Sequence, residues 1–300
     1  MKTLGLDLGG TKIAAGIVEN GEILATDRLE TPSAGFEAVV DALTAIARKL
    51  LEAHPDTEAI GLGSPGPLDY ERGVVLFAPN IPGMDGAPLV PELEVNLGRR
   101  VFLENDANAA GFAEHLFGAA RDLSSSIYMT ISTGIGGGLF LGDQLIRGAS
   151  GLAGEIGHMI LLPGGPIDGD GHHGTLEAIA SGRAIARDGS YVYGVEMTTE
   201  EVFARARAGE PKALSIIDNA ANFTGIGMAN LVKVFNPEGF VVGGGMSQVG
   251  NFYLSRIERA LNEHLEGYPV PRLVTARLGS MAGVIGAAAV AAKHARDGSF

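Results

Sequence analysis

The chain has 300 residues, enough for two domains of ordinary size, and 46% of them are hydrophobic. Its formal net charge is −13, without a run of Lys or Arg, which disfavours binding to nucleic acid or to an anionic membrane. There is no cysteine, so disulfides and thiolate metal sites are excluded. The first residues lack the apolar stretch of a signal peptide, and no apolar run is long enough to span a bilayer. We therefore expect a cytoplasmic protein.

The first third of the chain predicts mostly strands. Five apolar segments have the character of strands, at residues 3–8, 12–18, 23–29, 59–62 and 101–103. The first three form an antiparallel meander, because Asn20-Gly21 is a strong hairpin signal. Helical spacing of apolar residues predicts a helix over residues 36–53.

From residue 107 onward the order of elements recurs in outline. Strands are predicted at residues 126–131, 135–141, 240–242 and 273–276. Helices are predicted at residues 107–117, 199–207, 211–235, 252–265 and 282–295. The recurrence suggests two related α/β domains with a cleft between them. We assign residues 1–107, completed by the C-terminal helix 282–300, to a small domain and residues 108–281 to a large one.

Two glycine-rich turns between strands have features of phosphate-binding turns. The first is Asp7-Leu8-Gly9-Gly10-Thr11-Lys12, whose paired glycines allow successive N–H groups to point at an anion. Asp7 ends a strand, where its carboxylate could hold Mg²⁺ through water. The second turn begins with Thr133-Gly134. Either turn alone could be an ordinary tight hairpin, but two in related positions favour a phosphate gripped from both sides.

A third glycine cluster, Gly243-Gly244-Gly245, follows the apolar strand 240–242. Three glycines at the end of a strand leave a surface on which a flat ring could lie. The cluster is equally compatible with a plain loop before a helix, and these residues alone do not decide between the two.

Polar side chains at strand ends are the candidates for chemistry. Asn105 and Asp106 follow a buried strand and open a helix, where a carboxylate can orient and deprotonate an alcohol. The alternative is that one of them only caps the helix. Asn80 interrupts an apolar segment and could bind sugar hydroxyls, although alone it is better explained as a turn residue.

Two further segments carry a polar residue in a setting that suits a ligand contact. Glu155 and His158 are three residues apart and share a face if that segment is helical; otherwise they mark a surface helix end. Glu177 lies in a short apolar helix, where it either complements the helix dipole or contacts a ligand.

Together these motifs resemble, in order and over nearly the whole chain, the ROK family of sugar kinases within the actin-like ATPase superfamily. The resemblance implies a two-domain α/β fold of the ribonuclease H-like, actin-like type with the active site in the cleft. It implies ATP with Mg²⁺ as cofactors and Asp106 as catalytic base. The sugar contacts would be Asn80, Asn105, Asp106, Glu155, His158 and Glu177. The nucleotide contacts would be Asp7, Gly9, Gly10, Thr11, Lys12, Thr133, Gly134, Gly243, Gly244 and Gly245.

One segment departs from the family pattern. Members usually hold a structural zinc with a histidine, here His158, and three cysteines, whose positions are occupied here by Asp168, Asp170 and Thr175. Because carboxylates and a hydroxyl suit zinc less well than thiolates, we predict no structural zinc and assign no residue to a resident metal site. A weaker metal site formed by Asp168, Asp170, His172 and His173 stays open, although a hydrogen-bonded loop is favoured over it. Hydrogen bonding of His158 to Asp168 or Asp170 could orient its ring in place of the metal.

The resemblance to the family's glucokinases makes glucose the expected acceptor, phosphorylated at its 6-hydroxyl. Fructose, mannose or an N-acetylated sugar is the alternative. A sugar-responsive transcription regulator, which the family also contains, is less favoured. Those regulators carry an N-terminal helix-turn-helix, whereas this chain starts at the strand before the first glycine turn and is acidic. A non-catalytic sugar-binding protein is disfavoured by the presence of Asp7, Asp106 and both turns. The family also implies a homo-oligomer, either a dimer or a tetramer.

Overall fold

The computed structural model describes residues 1–78, 80–142 and 144–297. Within that part of the chain, no helix combines the length and apolar character that crossing a membrane requires. The chain divides into two compact units. The first comprises Met1–Asp122, Gly138–Ala153 and the segment from Arg277 onward; the second comprises Leu123–Gly137 and Gly154–Ala276.

The first unit is built on a five-stranded sheet. Its strands are β1 (Lys2–Leu8), β2 (Lys12–Glu19), β3 (Glu22–Glu30), β4 (Ala59–Ser64) and β7 (Val101–Asn105), in the order β3-β2-β1-β4-β7. The predicted antiparallel meander of β1, β2 and β3 is confirmed. Asn20 and Gly21 both have positive φ, of 50° and 82°, as the favoured two-residue hairpin turn requires. A small hairpin of β5 (Leu68–Asp69) and β6 (Val74–Val75) stands apart from the sheet.

Helices cover both faces of this sheet. They are α1 (Phe36–Ala53), α2 (Leu89–Leu97), α3 (Asp106–Leu116) and the C-terminal α9 (Ala282–Asp297). Leu4, Leu6 and Leu8 of β1 belong to the same buried cluster as the apolar stripe of α1. Residues that alternate with them face the other way, because side chains of a strand point to opposite faces. On that second face Ala14 and Val18 of β2 pack with α3 and α9.

The approach of α9 to the sheet depends on glycines. A Cβ atom at Gly5 of β1 would overlap the carbonyl of Val284, and one at Gly61 of β4 would overlap the carbonyl of Ala287. A Cβ at Gly286 of α9 would overlap the carbonyl of Ala109 in α3. The backbones therefore lie closer together than any side chain would allow.

The second sheet has the order β10-β9-β8-β11-β12. Its strands are β8 (Ser125–Ile131), β9 (Ile135–Leu141), β10 (Gln144–Leu145), β11 (Gly239–Gly243) and β12 (Arg272–Thr275). β11 runs parallel to both β8 and β12. The boundary between the two compact units falls inside β9, between Gly137 and Gly138.

The second unit contains the remaining five helices of the described residues. They are α4 (Leu176–Ala180), α5 (Gly182–Tyr193), α6 (Thr199–Arg207), α7 (Pro211–Phe235) and α8 (Asn251–Leu265). Local signals fix several of their ends. α6 starts at a capping box formed by Thr198 and Glu201, and α7 has Pro211 at its first position. α7 ends at Asn236 in the left-handed conformation.

The compact units differ in their bounds from the predicted domains. Residues 108–122 and 138–153 belong to the first unit, whereas the prediction assigned them to the large domain. The physical reason is that α3 packs on α9, so the chain leaves the first unit only after that helix is complete. The predicted division into domains 1–107 with 282–300, and 108–281, stays a prediction, and its last three residues lie outside the described part of the chain.

Candidate active site

The turn between β1 and β2 is held by backbone and hydroxyl hydrogen bonds. The N–H of Gly9 donates to the carbonyl of Lys12 at 3.0 Å, and the hydroxyl of Thr31 donates to the carbonyl of Gly9 at 2.6 Å. Gly10 and Thr11 are exposed at its tip. Asn80 lies beside this turn, because a Cβ at Gly10 would be 3.3 Å from the Cβ of Asn80. The structure therefore brings Asn80 to the first phosphate turn, whereas its neighbour Pro79 is outside the described residues.

Asp7, at the end of β1, has an altered acidity. Burial raises its pKa to about 7, the charge of Asp106 adds to the increase, and Lys12 opposes it. The first turn of α9 is close to this carboxylate, since a Cβ at Gly283 would be 2.6 Å from the Asp7 Cγ. A carboxylate with a second carboxylate nearby offers the oxygen ligands and the negative charge that suit a hard cation such as Mg²⁺.

At the junction of β7 and α3, one residue caps the helix and the next is the candidate base. Asn105 is the N-cap of α3, and its side-chain oxygen accepts the N–H groups of Ala107 at 3.0 Å and Asn108 at 3.1 Å. Asp106 is thus not needed as the cap. Burial raises its pKa, although a hydrogen bond from the Ala107 N–H, at 2.7 Å, opposes the increase.

Glu104, which the sequence did not single out as a site residue, supports this segment. Its side chain is fully buried, and one carboxylate oxygen accepts the Asn105 N–H, the Tyr70 hydroxyl and the Asn108 amide, each at 3.0 Å. The other oxygen accepts the Nε–H of Arg147 at 2.8 Å and also its Nη2. The sequence signal was present, because Glu104 is one of three polar residues that follow an apolar strand, but its partners are 34 and 43 residues away.

In the second unit, Glu177 is bonded to the second glycine turn. Its carboxylate accepts the Ile135 N–H at 2.8 Å, and a Cβ at Gly134 would overlap the same carboxylate. The turn closes through the Ser132 N–H, which donates to the Gly134 carbonyl at 2.9 Å. Glu177 therefore braces the turn, a contact that neither sequence interpretation of this residue anticipated.

Thr133 and Gly245 line one cavity of about 420 Å³ within the second unit. Its wall includes residues of α6 that the sequence analysis did not identify, among them Glu200, Phe203 and Arg207. Gly244 has a φ of 79° and begins the turn Gly245–Val249. The structure thus brings Thr133 of the second turn and Gly245 of the third glycine cluster together around one cavity, whereas Gly243 and Gly244 do not line it.

His158 lies in a network of carboxylates. Its Nδ1 is 3.2 Å from Oδ2 of Asp168, and its Nε2 is 3.4 Å from Asp170 and 3.9 Å from Glu155. The side chain of Asp168 is fully buried and also accepts the Asp170 N–H, the His172 N–H and the Thr175 hydroxyl, at 3.0, 2.9 and 2.8 Å. Burial alone would raise the pKa of Asp168, but these hydrogen bonds hold it below its usual range.

The residues at the family's cysteine positions offer no thiolate, so the donor set here differs from that of the family's structural zinc site. Thr175 caps α4 by accepting the Ala178 N–H at 3.1 Å, while its hydroxyl proton is donated to Asp168. Among the described residues, His158, Asp168 and His172 place one ligand atom each within 4.8 Å of one another. The Asp168 carboxylate already accepts three hydrogen bonds from groups other than His158. Two imidazoles and one carboxylate also differ in kind from a three-thiolate set.

Comparison with known proteins places these features in a family. The ROK family matches residues 3–294. A glucokinase from Streptomyces coelicolor is 37% identical over 96% of this chain and 97% of its own length. The ROK hexokinase from Thermus thermophilus superposes with a TM-score of 0.93 at 47% identity, covering 99% of this chain and 100% of that one. A ROK family glucokinase from Streptomyces griseus, in complex with glucose and AMPPNP, gives 0.85 at 38% identity, with coverages of 98% and 100%.

The fold and these likenesses define an α/β protein of the actin-like ATPase class, as the sequence predicted. The match over residues 3–294 and the full-length relatives show further that the chain belongs to the ROK family, which confirms the predicted resemblance.

Proposed function

We propose that this protein transfers the γ-phosphate of ATP to glucose. The observation that carries the proposal is the carboxylate of Asp106, which stands at the start of α3 with a raised pKa while Asn105 does the capping. Full-length likeness to glucokinases, including one bound to glucose and the ATP analogue AMPPNP, supports the same activity. The enzyme is an ATP-dependent sugar kinase.

Asp106 acts as the base in this proposal. The oxygen of the sugar hydroxyl forms a bond to the γ-phosphorus while the bond from that phosphorus to the β–γ bridging oxygen breaks. The hydroxyl proton passes to the Asp106 carboxylate, and ADP leaves with the electron pair of the broken bond. A raised pKa suits this role, because it brings the proton affinity of the base closer to the working pH.

The first turn supplies phosphate and metal contacts. Gly10, Thr11 and Lys12 would contact phosphate through N–H groups, a hydroxyl and an ammonium. The N–H of Gly9 already donates to the Lys12 carbonyl, so Gly9 would instead let the turn approach the phosphate closely. Asp7 would hold Mg²⁺, which neutralises phosphate charge when bound. Asn80 and Asn105 are proposed to bind sugar hydroxyls, a role supported for Asn80 by its place beside Gly10.

In the second unit, Glu155, His158 and Glu177 are the proposed sugar contacts, and the nucleotide contacts are Thr133, Gly134, Gly243, Gly244 and Gly245. The cavity lined by Thr133 and Gly245 supports the nucleotide assignment. His158 would be oriented without zinc: if Nδ1 donates to Asp168, Nε2 is left without its proton and can accept a sugar hydroxyl.

The test is ATP turnover measured with glucose, fructose, mannose, N-acetylmannosamine and no sugar. We expect the highest kcat/KM with glucose and little hydrolysis without sugar. Asp106→Asn should lower kcat by roughly 10²–10⁴-fold, the usual contribution of a general base, with an unchanged circular dichroism spectrum. Asp41→Asn, an exposed position on α1, is the matched control and should retain full activity.

Turnover of Asp106→Asn at the wild-type rate would refute the assignment of the base. ATP hydrolysis that no sugar accelerates would refute the kinase itself. Two further proposals rest on the family resemblance: a homo-oligomer, dimer or tetramer, which sedimentation velocity tests, and a cytoplasmic location, where ATP is available.

A further inference from the structure

A second cavity lies within the first unit. Its volume is about 870 Å³, within the range of small-molecule sites. Its wall is formed by residues of β7, by the first and middle turns of α2 and the residues that follow this helix, by residues 70–73, and by Arg147 and His294. None of the proposed phosphate, sugar or base residues of the first unit lines it.

The lining is rich in arginine although the protein is strongly acidic. Arg72, Arg99, Arg100 and Arg147 face the cavity together with two acidic residues, Glu71 and Glu94. The Glu94 carboxylate already accepts the N–H of Val101 at 2.9 Å. In a chain with a net charge of −13, four arginines around one cavity indicate an anionic ligand.

Three of these arginines are held in place by contacts with the protein. Arg99 donates one Nη1 hydrogen bond to the carbonyl of Thr57 at 2.7 Å. The guanidinium of Arg100 lies over the Phe102 ring at 5.1 Å, and that of Arg147 lies over the Tyr70 ring at 5.8 Å. An anion that binds here would meet side chains whose conformational entropy has been partly lost already, which favours affinity.

We propose that this cavity binds a phosphorylated small molecule, with its phosphate on Arg99, Arg100 and Arg147. A phosphate group carries about two negative charges and several oxygens, and each guanidinium can donate two parallel hydrogen bonds to a pair of those oxygens. A single carboxylate has one charge and only two oxygens. The volume leaves room for a sugar or nucleoside attached to the phosphate.

The position of Arg147 connects this cavity to the catalytic segment. Its Nε and Nη2 bond the buried carboxylate of Glu104, and the same carboxylate accepts the N–H of Asn105. A phosphate bound to the Nη1 side of this guanidinium would thus contact Arg147, whose partner Glu104 holds the N–H of Asn105 next to Asp106.

The test is calorimetric titration of the full-length protein saturated with glucose, AMPPNP and Mg²⁺, so that the proposed active site is filled. The three titrants are inorganic phosphate, glucose 6-phosphate and adenosine monophosphate. We expect one equivalent of at least one phosphate ester to bind, more tightly than inorganic phosphate. Arg99→Gln/Arg100→Gln should weaken that binding at least tenfold, roughly the loss of one charge-assisted contact.

The control is Arg121→Gln/Arg259→Gln, which removes the same charge at two exposed positions outside the cavity and should bind like the wild type. Absence of binding by all three titrants, equal binding by the cavity variant, or tighter binding of inorganic phosphate than of either ester would each overturn the proposal. The inference rests on the proposed kinase activity only for filling the active site. Glucose phosphorylation assayed on the same preparations therefore shows which of the two has failed.

Discussion

At the scale of single residues, Asp7 links function to stability. Its pKa in the folded protein is raised to about 7, mainly by burial, whereas an unfolded aspartate titrates near ~4. The folded state therefore holds this proton more tightly than the unfolded state does. The stabilisation that Asp7 gives when protonated is complete below about pH 4 and is lost as the pH rises to about 7.

Asp7→Asn should remove this loss of stability. Without ligands at pH 8, we expect the variant to be more stable than the wild type by on the order of 1–4 kcal/mol, while the two differ little near pH 4. Urea unfolding at several pH values measures the difference. Glucose phosphorylation should fall strongly in the same variant, because the proposed Mg²⁺ ligand is gone. Equal pH profiles for the two proteins would contradict the raised pKa.

Asp168 is the residue that we propose orients His158, whose Nδ1 lies 3.2 Å from its carboxylate. In Asp168→Asn, one carboxylate oxygen becomes an amide NH₂ group and the negative charge is lost. The carboxylate accepts N–H and O–H groups of Asp170, His172 and Thr175 and lies against Nδ1 of His158, so the imidazole loses its charged partner. We expect the KM for glucose to rise by roughly 10–100-fold, as for other residues that orient a ligand-binding histidine, with a smaller change in kcat.

Nitrogen-15 NMR of the His158 ring distinguishes this effect from loss of structure, because the preferred tautomer should change. Asp122→Asn, an exposed carboxylate at 75% side-chain exposure, is the control. Metal analysis of the wild-type protein should find no stoichiometric zinc. Stoichiometric zinc that is lost in Asp168→Asn would show that a metal, and not hydrogen bonding, orients the ring.

The sequence identified candidate segments more readily than it identified what each of their side chains contacts. Asp7, Asp106 and Thr133 were predicted from local spacing, since turns and strand ends are local features. Glu104 could not be recognised as a support, because Tyr70 and Arg147 are distant in sequence and meet it only in the folded chain. Likewise, the bond from Ile135 to Glu177 spans 42 residues. Tertiary partners of this kind leave no mark in the pattern of one sequence.

At the scale of elements, the position of α9 depends on glycines, which have no side chain to keep the backbones apart. Gly5, Gly61 and Gly286 allow its backbone to approach β1, β4 and α3. The sequence predicted the helix from its apolar Ala- and Gly-rich composition, but not that its glycines and those of the strands meet. The short β5, β6 and β10 were not predicted either, because two-residue strands have no periodicity. The short helices α2 and α5 were not assigned from the pattern, whereas α4 lies where a short apolar helix was predicted around Glu177.

Gly61→Ala tests this packing against a control on the same strand. The new methyl group would overlap the Ala287 carbonyl, which belongs to the helix backbone and cannot move aside as a side chain can. We therefore expect the free energy of unfolding to fall by roughly 1–3 kcal/mol or more. At Gly63, two residues further along β4, the nearest atoms would be 3.6 and 3.7 Å away, so Gly63→Ala should be close to neutral. Denaturant unfolding compares the two variants. Equal stabilities would mean that α9 can shift without cost.

At the scale of the whole molecule, charge opposes the proposed cofactor. The net charge of −13 repels the anion ATP, whereas glucose is neutral and is not affected by the electrostatic field of the protein. Long-range repulsion between exposed charges is screened as the Debye length shortens from about 30 Å at 0.01 M salt to about 8 Å at 0.15 M. The proposed contacts between phosphate and backbone N–H groups of the turns would act at short range and be screened much less.

Raising the ionic strength over that range at fixed excess Mg²⁺ should therefore lower the KM for ATP a few-fold and leave the KM for glucose unchanged. Glucose serves as the internal control, since a general effect of salt on the fold would alter both constants. Steady-state kinetics in potassium chloride provides the measurement. If the KM for ATP instead rises with salt, a local positive field guides the nucleotide, and phosphate binding would depend on side-chain charge such as that of Lys12 more than on the backbone of the glycine turns.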